Sequence, residues 1–416
     1  MVKENRDFRL LWAGDAISQL GNQLTVIALP LVAIATLQSS VFEVGLLTAA
    51  GYLAWLVIGL PAGAWVDRRL RRPVLVGADL GRAVLLLSVP VAAATGTLTL
   101  WQLYLVALGT SVLTVVFDVA YPAYLPHIVE RDQLVAANGR LQLNASVAYI
   151  AGPGVGGVLV QVLTAPLTLL VDAVSYLVSG VLLTRVRKQE AEPPHKPERH
   201  LGKEIAEGLR FVWRQPIIRA IARSSGVFNL SFAGYQALII VFLVREVGLS
   251  TASTGLLLAA GSVGGTIGAL LIGPLSRKLG DARLIWAFPL VTMPAILLVP
   301  LTTPGWGLAF FVIGAFVPAV GGVAFNVSVA SFIQTLTPQD LLGRVGGSIR
   351  VVSRGALPVG AAAAAWLATR LPVRGVLVLA AAGMTLAILL LLLSPIRRLT
   401  TLAEVRTADE ANRSSA

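Results

Sequence analysis

Three carboxylates stand in otherwise apolar stretches of this 416-residue chain: Asp15, Asp118 and Asp172. An acid among hydrocarbon side chains is costly to keep, and in a membrane segment it marks a proton relay or an ion path. Asp15 shares a helical face with Gln19 and Asn22, giving the polar stripe that a cavity wall needs. Asp118 and Asp172 each leave a second reading open. Asp118 lies toward one end of its apolar stretch and suits a helix cap or an arginine partner as well as a proton carrier. Asp172 suits a solvated edge. Asp79 and Arg82, one helical turn apart, read as a local ion pair.

Catalytic chemistry finds little to stand on. The chain has no cysteine, so thiolate and disulfide chemistry are excluded. His127, His195 and His200 fall in stretches read as loops, and no His-Glu-x-x-His occurs, so neither a metal site nor a buried Ser/His/Asp set is expected. The only Gly-Lys pair, Gly202-Lys203, is followed by Glu204, which is not a phosphate-binding loop. The expectation is a protein that is not an enzyme and needs no cofactor.

Composition says where such acids would sit. The chain is 56% hydrophobic and 13% charged, with a mean hydropathy of +0.79, which is the profile of a membrane protein. About 20 mostly apolar residues cross ~30 Å of hydrocarbon. On that rule spans fall near 8–37, 42–64, 73–95, 101–123, 141–163 and 167–186, then near 222–246, 253–276, 283–303, 306–333, 346–370 and 375–394. The expected fold class is therefore an all-α membrane protein, with twelve transmembrane helices in two six-helix pseudo-symmetric bundles. Residues 1–186 and 222–394 form the bundles. Residues 187–221 form a linker with an amphipathic helix lying on the inner membrane surface, in which Ile205, Leu209, Val212 and Trp213 share a face, with a simple extension of the seventh span as the other reading, and 395–416 form a tail. The start has no cleavage pattern and reads as a retained first helix.

The net charge of +12 is a topology signal. With both termini in the cytoplasm, every Lys and Arg except Arg245, Arg370 and Arg374 falls on the cytoplasmic face. Charge so placed meets anionic lipid, not nucleic acid.

Two motifs carry the halves. Gly63-Ala64-Trp65-Val66-Asp67-Arg68-Arg69-Leu70-Arg71-Arg72 separates the second and third spans, and Gly273-Pro274-Leu275-Ser276-Arg277-Lys278-Leu279-Gly280-Asp281 is a worn copy between the eighth and ninth. Phe117-Asp118 likewise pairs with Phe325-Asn326, and Gly139-Arg140 with Gly343-Arg344. The first motif resembles the loop 2–3 signature of the major facilitator superfamily, with Gly63, Asp67, Arg68, Arg71 and Arg72 in matching positions. The resemblance implies a gate in which Asp67 docks at the start of the eleventh span, near Arg344, Arg350 and Arg354. Arg68, Arg71 and Arg72 would hold lipid phosphate or nearby acids. Asp67 shaping only its own turn is the other reading.

In the fifth span, Ala148 to Gly157 is similar to the signature of drug:proton antiporters, with Gly152, Pro153, Gly156 and Gly157 matching. Three glycines clear one helix face and the proline bends the helix. A packing face common to membrane helices is the alternative. Asn5-Arg6-Asp7-Phe8-Arg9-Leu10-Leu11-Trp12, Tyr124-Leu125-Pro126 and Ala137-Asn138-Gly139-Arg140-Leu141 resemble the macrolide-efflux and siderophore-export branch, the transmembrane secretion effectors. No Lys or Arg stands between Arg82 and Arg131, so the span-4 arginine of many drug antiporters is missing. The resemblance implies a monomeric exporter in the inner (cytoplasmic) membrane. It would move small amphipathic, antibiotic-like compounds outward in exchange for protons, with the proton gradient as energy source and membrane lipid as its surroundings. A dedicated exporter of one endogenous metabolite, such as a siderophore, or a lysolipid flippase is the rival.

Overall fold

The computed structural model describes residues 5–66, 68–130, 133–188, 190, 201–337 and 341–398. Among these the regular structure is helical throughout. The helices are α1 (Arg6–Leu31), α2 (Val41–Val66), α3 (Arg71–Ala94), α4 (Leu100–Ile128), α5 (Leu134–Leu163), α6 (Ala165–Thr184) and α7 (Leu201–Arg214), followed by α8 (Pro216–Val241), α9 (Thr251–Leu279), α10 (Asp281–Thr292), α11 (Leu308–Leu336), α12 (Leu342–Leu367) and α13 (Val373–Leu392). π-helical turns extend α1 over Val32–Thr36 and α8 over Phe242–Glu246, and a 3-10 segment, Met293–Leu301, prolongs α10.

Eleven of these are long and apolar enough to cross a membrane. The stretch expected as another span, near 346–370, is α12, which has 26 residues but carries Arg344, Arg350 and Arg354 and does not count among the eleven. Proline bends these helices without ending them. α4 runs on through Pro122 and Pro126 to Ile128, and this puts His127, expected in a loop, in its last turn. Carbonyls freed by proline in a membrane helix are met by neighbours, so the helix continues.

The chain divides into two compact units, Met1–Pro197 with Ile240–Ala259, and Glu198–Ile239 with Ala260–Ala416. In the first, α1 packs on α5 and α6, α3 on α4 and α6, and α2 on α4. Phe8, Leu11, Leu75, Tyr124, Leu125 and Ile128 gather in one core at the shared end of these helices. In the second, α10 and its 3-10 extension pack on α11, and α7 packs on α12. Ile218, Ile221, Ile285, Phe332 and Val345 form its core. Large apolar side chains such as Val84, Leu105, Leu270 and Val291 are exposed on the outside of the helices, as lipid contact requires.

α7 docks more closely than a helix lying on a surface. Gly208 leaves no room for a side chain beside the Arg344 carbonyl and Ser348 of α12, and Glu207 pairs with Arg344.

Candidate functional site

The contact between α1 and α6 in the first unit is built from small residues. Gly14 of α1 faces Ser179 of α6, and Gly21 faces Ser175 and Asp172, where an added carbon would collide with both side chains. Lipid gives helices no hydrophobic reason to associate, so close backbone approach through small residues supplies the contact. That approach buries Asp172 completely. Thr25 of α1 donates its hydroxyl to one carboxylate oxygen, and Ser175 donates to the other at 2.9 Å.

Asp172 stands in the wall of a cavity of about 300 Å³. Asn22, Thr25, Thr110, Ser111 and Thr114 give it a polar lining, and Tyr52, Trp55 and Tyr176 an aromatic one. Val26, Leu29, Leu47 and Leu86 complete the wall. Tyr176 also donates to the Asn22 side chain at 3.4 Å. A hydroxyl both donates and accepts. Thr25 and Ser175 therefore satisfy Asp172 as a carboxylate by donating, and in the neutral acid one of them can turn to accept while the other still donates.

Asp15 sits elsewhere in the same unit. It is buried, accepting from Asn144 of α5 at 2.8 Å and from Gln19 at 3.5 Å. Neither Asp15 nor Gln19 lines the cavity, whereas Asn22, the third member of the expected stripe, does. Asp118 is exposed on α4 and is not among the lining residues, but its charge acts on Arg82 and on Tyr176 of the lining. The structure thus joins Asn22 with Asp172, groups Asp15 with Gln19, and sets Asp118 toward Arg82, the arginine partner of its second reading.

Asp79 and Arg82 of α3 form the expected ion pair, both buried. The Arg82 guanidinium lies between two rings, 4.1 Å from the centre of Tyr176 and 4.5 Å from that of Phe117. It also reaches Thr114 of the cavity wall at 3.4 Å. α3 therefore places a cation beside α4, which has none of its own in this region.

Loop 2–3 is tied to the chain after α6. The Glu190 carboxylate accepts from the Arg71 and Arg72 backbone at 2.6 and 3.2 Å, capping α3, and pairs with the Arg71 side chain at 3.1 Å. Arg72 donates to the Leu183 carbonyl at 3.0 Å and to that of Thr184. Asp7 accepts from the backbone of Arg187 and Lys188. Arg68 is exposed, an added carbon at Gly63 would meet nothing within 4 Å, and Asp67 lies outside the described residues.

The fifth-span glycines face α1 and the first turns of α9, both within the first unit. Gly152 abuts Gln23 of α1 and Gly156 abuts Leu24 and Ile27, while Pro153 sits inside α5. Gly157 meets the first turns of α9, with the Thr251 carbonyl 2.6 Å from where its side chain would begin. Gln161 accepts from the Ala252 backbone at 3.2 Å, and Arg245 donates to the Ser39 carbonyl at 2.7 Å. Asn144, Thr25, Ser175, Tyr176 and Glu190 were missed as site residues from the sequence. Among the described residues no group of three or more His, Asp or Glu could hold a metal ion.

The model of the Major Facilitator Superfamily matches residues 11–361. The multidrug efflux pump Tap of Mycolicibacterium fortuitum is 29% identical over 362 residues, covering 82% of this chain and 84% of that protein. The enterobactin exporter EntS of Escherichia coli O1:K1 / APEC is 27% identical over 360 residues, covering 83% and 82%. Among solved structures, a bacterial homologue of the iron transporter ferroportin in its inward-facing state superposes with a TM-score of 0.73 at 18% identity, covering 93% of this chain and 98% of that one.

Proposed function

We propose that this chain, which belongs to the Major Facilitator Superfamily, is a proton-coupled exporter of amphipathic organic compounds. The chain is a multi-pass membrane transporter of small molecules, not an enzyme. Its finer assignment rests on the cavity of the first unit, where the Asp172 carboxylate shares a wall with three aromatic rings and a row of hydroxyls. Apolar and aromatic walls accept hydrophobic bodies loosely, and a few polar groups orient them. Asp172 is the proton carrier in this reading, ahead of Asp15, because it alone of the three acids reaches the cavity.

The remaining assignments complete the mechanism. Twelve spans in two six-helix bundles, 1–186 and 222–394, alternate access around a central path, with linker 187–221, tail 395–416 and both termini in the cytoplasm. Asp67 serves as the gate acid, with Arg68, Arg71 and Arg72 beside it, and the Gly152-Pro153 and Gly156-Gly157 face of α5 seals the outer side. Similarity to the multidrug efflux pump Tap supports drug-like substrates, and the resemblance of the chain's motifs to the macrolide-efflux branch adds antibiotics, macrolides among them, to this reading. Similarity to EntS favours a second reading, a dedicated siderophore exporter.

Expression in an efflux-deleted host tests the first reading. Reduced susceptibility to macrolides or dyes, lost with an uncoupler and lost in Asp172→Asn, supports it. Unchanged susceptibility to every compound, with restored secretion of a catecholate siderophore, replaces it with the second.

A further inference from the structure

Arg219 and Arg223 stand one turn apart on the first turns of α8, so both guanidiniums leave the same face. That face meets the end of α13, fixed there by a hydrogen bond of 2.7 Å from the Ser224 hydroxyl to the Ala387 carbonyl. Between the helices lies a cavity of about 130 Å³ lined by Arg219, Ala220, Arg223, Leu390 and Leu393. Trp213, at the end of α7 and 54% exposed, holds both arginines from beside the cavity. Arg223 lies 5.2 Å over its ring, and Arg219 donates to its carbonyl at 3.1 Å. One guanidinium is thus stacked and the other anchored, yet no carboxylate among the described residues pairs with either.

The level in the membrane is fixed by the helices. α8 starts at Pro216 and α13 ends at Leu392, both apolar enough to span, so the cavity sits where they leave the hydrocarbon. Trp and Arg favour that boundary. From the cavity, Leu386 and Leu393 run along α13 as an exposed apolar column. A space this small is far below the roughly 300–1,000 Å³ of a drug-sized pocket.

We infer that this cavity binds the phosphate of an anionic phospholipid, held by Arg219 and Arg223 with the acyl chain along Leu386 and Leu393. Planar guanidinium forks match phosphate oxygens in pairs. The apolar column makes the ligand a lipid and not free phosphate. It lies apart from the transport cavity of the first unit and does not depend on what that cavity carries.

The test uses the full chain reconstituted in mixed phosphatidylcholine and phosphatidylglycerol vesicles, with bound lipid counted by native mass spectrometry after extraction. Arg219→Gln/Arg223→Gln should retain roughly 30-fold less phosphatidylglycerol, as expected for the loss of two surface cation–lipid contacts. A charge-matched control at the end of α9, Arg277→Gln/Lys278→Gln, should retain as much as the wild type. Equal loss in the two double variants would mean diffuse attraction and overturn the site. Displacement of the lipid by millimolar inorganic phosphate or glycerophosphate would overturn the lipid assignment. A melting curve in phosphatidylcholine alone, unchanged in Arg219→Gln/Arg223→Gln, separates lost binding from lost folding. If that variant does not fold, Arg219→Lys/Arg223→Lys keeps the charge and removes the fork. It should then retain less phosphatidylglycerol than the wild type, and full retention would overturn paired recognition.

Discussion

Adding one carbon at Gly157 should force α5 and α9 apart. Its position would lie 2.6 Å from the Thr251 carbonyl and 2.9 Å from the Gly255 Cα, both backbone atoms that no rotamer change can move. The first of these is roughly 0.7–1 Å inside an ordinary C···O contact of about 3.3–3.6 Å. Overpacking of this kind costs about 1–3 kcal/mol. Alanine also favours the helix over glycine by about 0.8–1 kcal/mol, but that gain applies in every state where α5 is helical and cancels. The collision exists only where α5 touches α9. Gly157→Ala should therefore shift the balance toward states lacking this contact by about 5- to 150-fold, the factor that 1–3 kcal/mol represents.

The cysteine-free chain makes this measurable. A single Thr48→Cys in the cavity wall reports access from outside the cell to a membrane-impermeant maleimide. Gly154→Ala is the control, because its added carbon meets only the Leu256 side-chain tip, at 3.6 Å. Labelling in Gly157→Ala should rise by that factor while Gly154→Ala stays at the parent rate. Equal rates in the two variants would refute a seal at this contact.

Three further outcomes follow from the same geometry. Asp172→Asn should abolish proton-driven uptake into inverted vesicles while Asp15→Asn retains part of it; full activity in Asp172→Asn would move the coupling elsewhere. Arg82→Met leaves the Asp79 carboxylate buried without its partner and should cost about 3–5 kcal/mol, read as a lowered melting temperature in detergent. Asp79→Leu/Arg82→Met should recover most of that loss, and a double variant no more stable than the single one counts against the pair. Gly21→Ala, whose added carbon meets Ser175 and Asp172, should lose about 1–3 kcal/mol and reduce uptake, whereas Gly139→Ala, which meets nothing within 4 Å, should do neither.

Helix positions were legible because length and hydropathy decide them almost alone, and each expected stretch is helical. Their ends were less so. α5 begins at Leu134, before the apolar run, because Asn138 and Arg140 extend the helix beyond its hydrophobic part. The site was legible by residue and not by grouping. Asp15, Gln19 and Asn22 form one polar stripe along a helix, yet α1 turns Asn22 to the cavity and Asp15 toward Asn144 of α5. Which face meets which helix depends on pairing, and periodicity within one helix does not encode its partner. A signal was present all the same. Gly14 and Gly21 on α1, with Ser175 and Ser179 on α6, are small residues at helical spacing on two spans, the pattern of a close helix contact. The Glu190 bridge to Arg71 and Arg72 had no such signal, since it joins a helix start to a loop more than a hundred residues away.

The two close helix contacts of the first unit differ in what parting would cost. Between α1 and α6 the small residues carry hydroxyls, and Thr25 from one helix and Ser175 from the other satisfy a single carboxylate. Separating them would leave Asp172 short of a donor in a low-dielectric interior, where an unmet polar group costs about 1–3 kcal/mol and more if charged. Between α5 and α9 the contact is made by Gly157 and Gly255 against backbone, supported by Gln161 and the Ala252 amide at the end of the helix. Nothing charged is orphaned when it opens, and both Gln161 and the Ala252 amide can turn to water. If Asp172 carries the proton, as proposed, its site must stay together while another contact breaks. On these grounds the α1–α6 contact is the costlier of the two to open and the α5–α9 contact the cheaper.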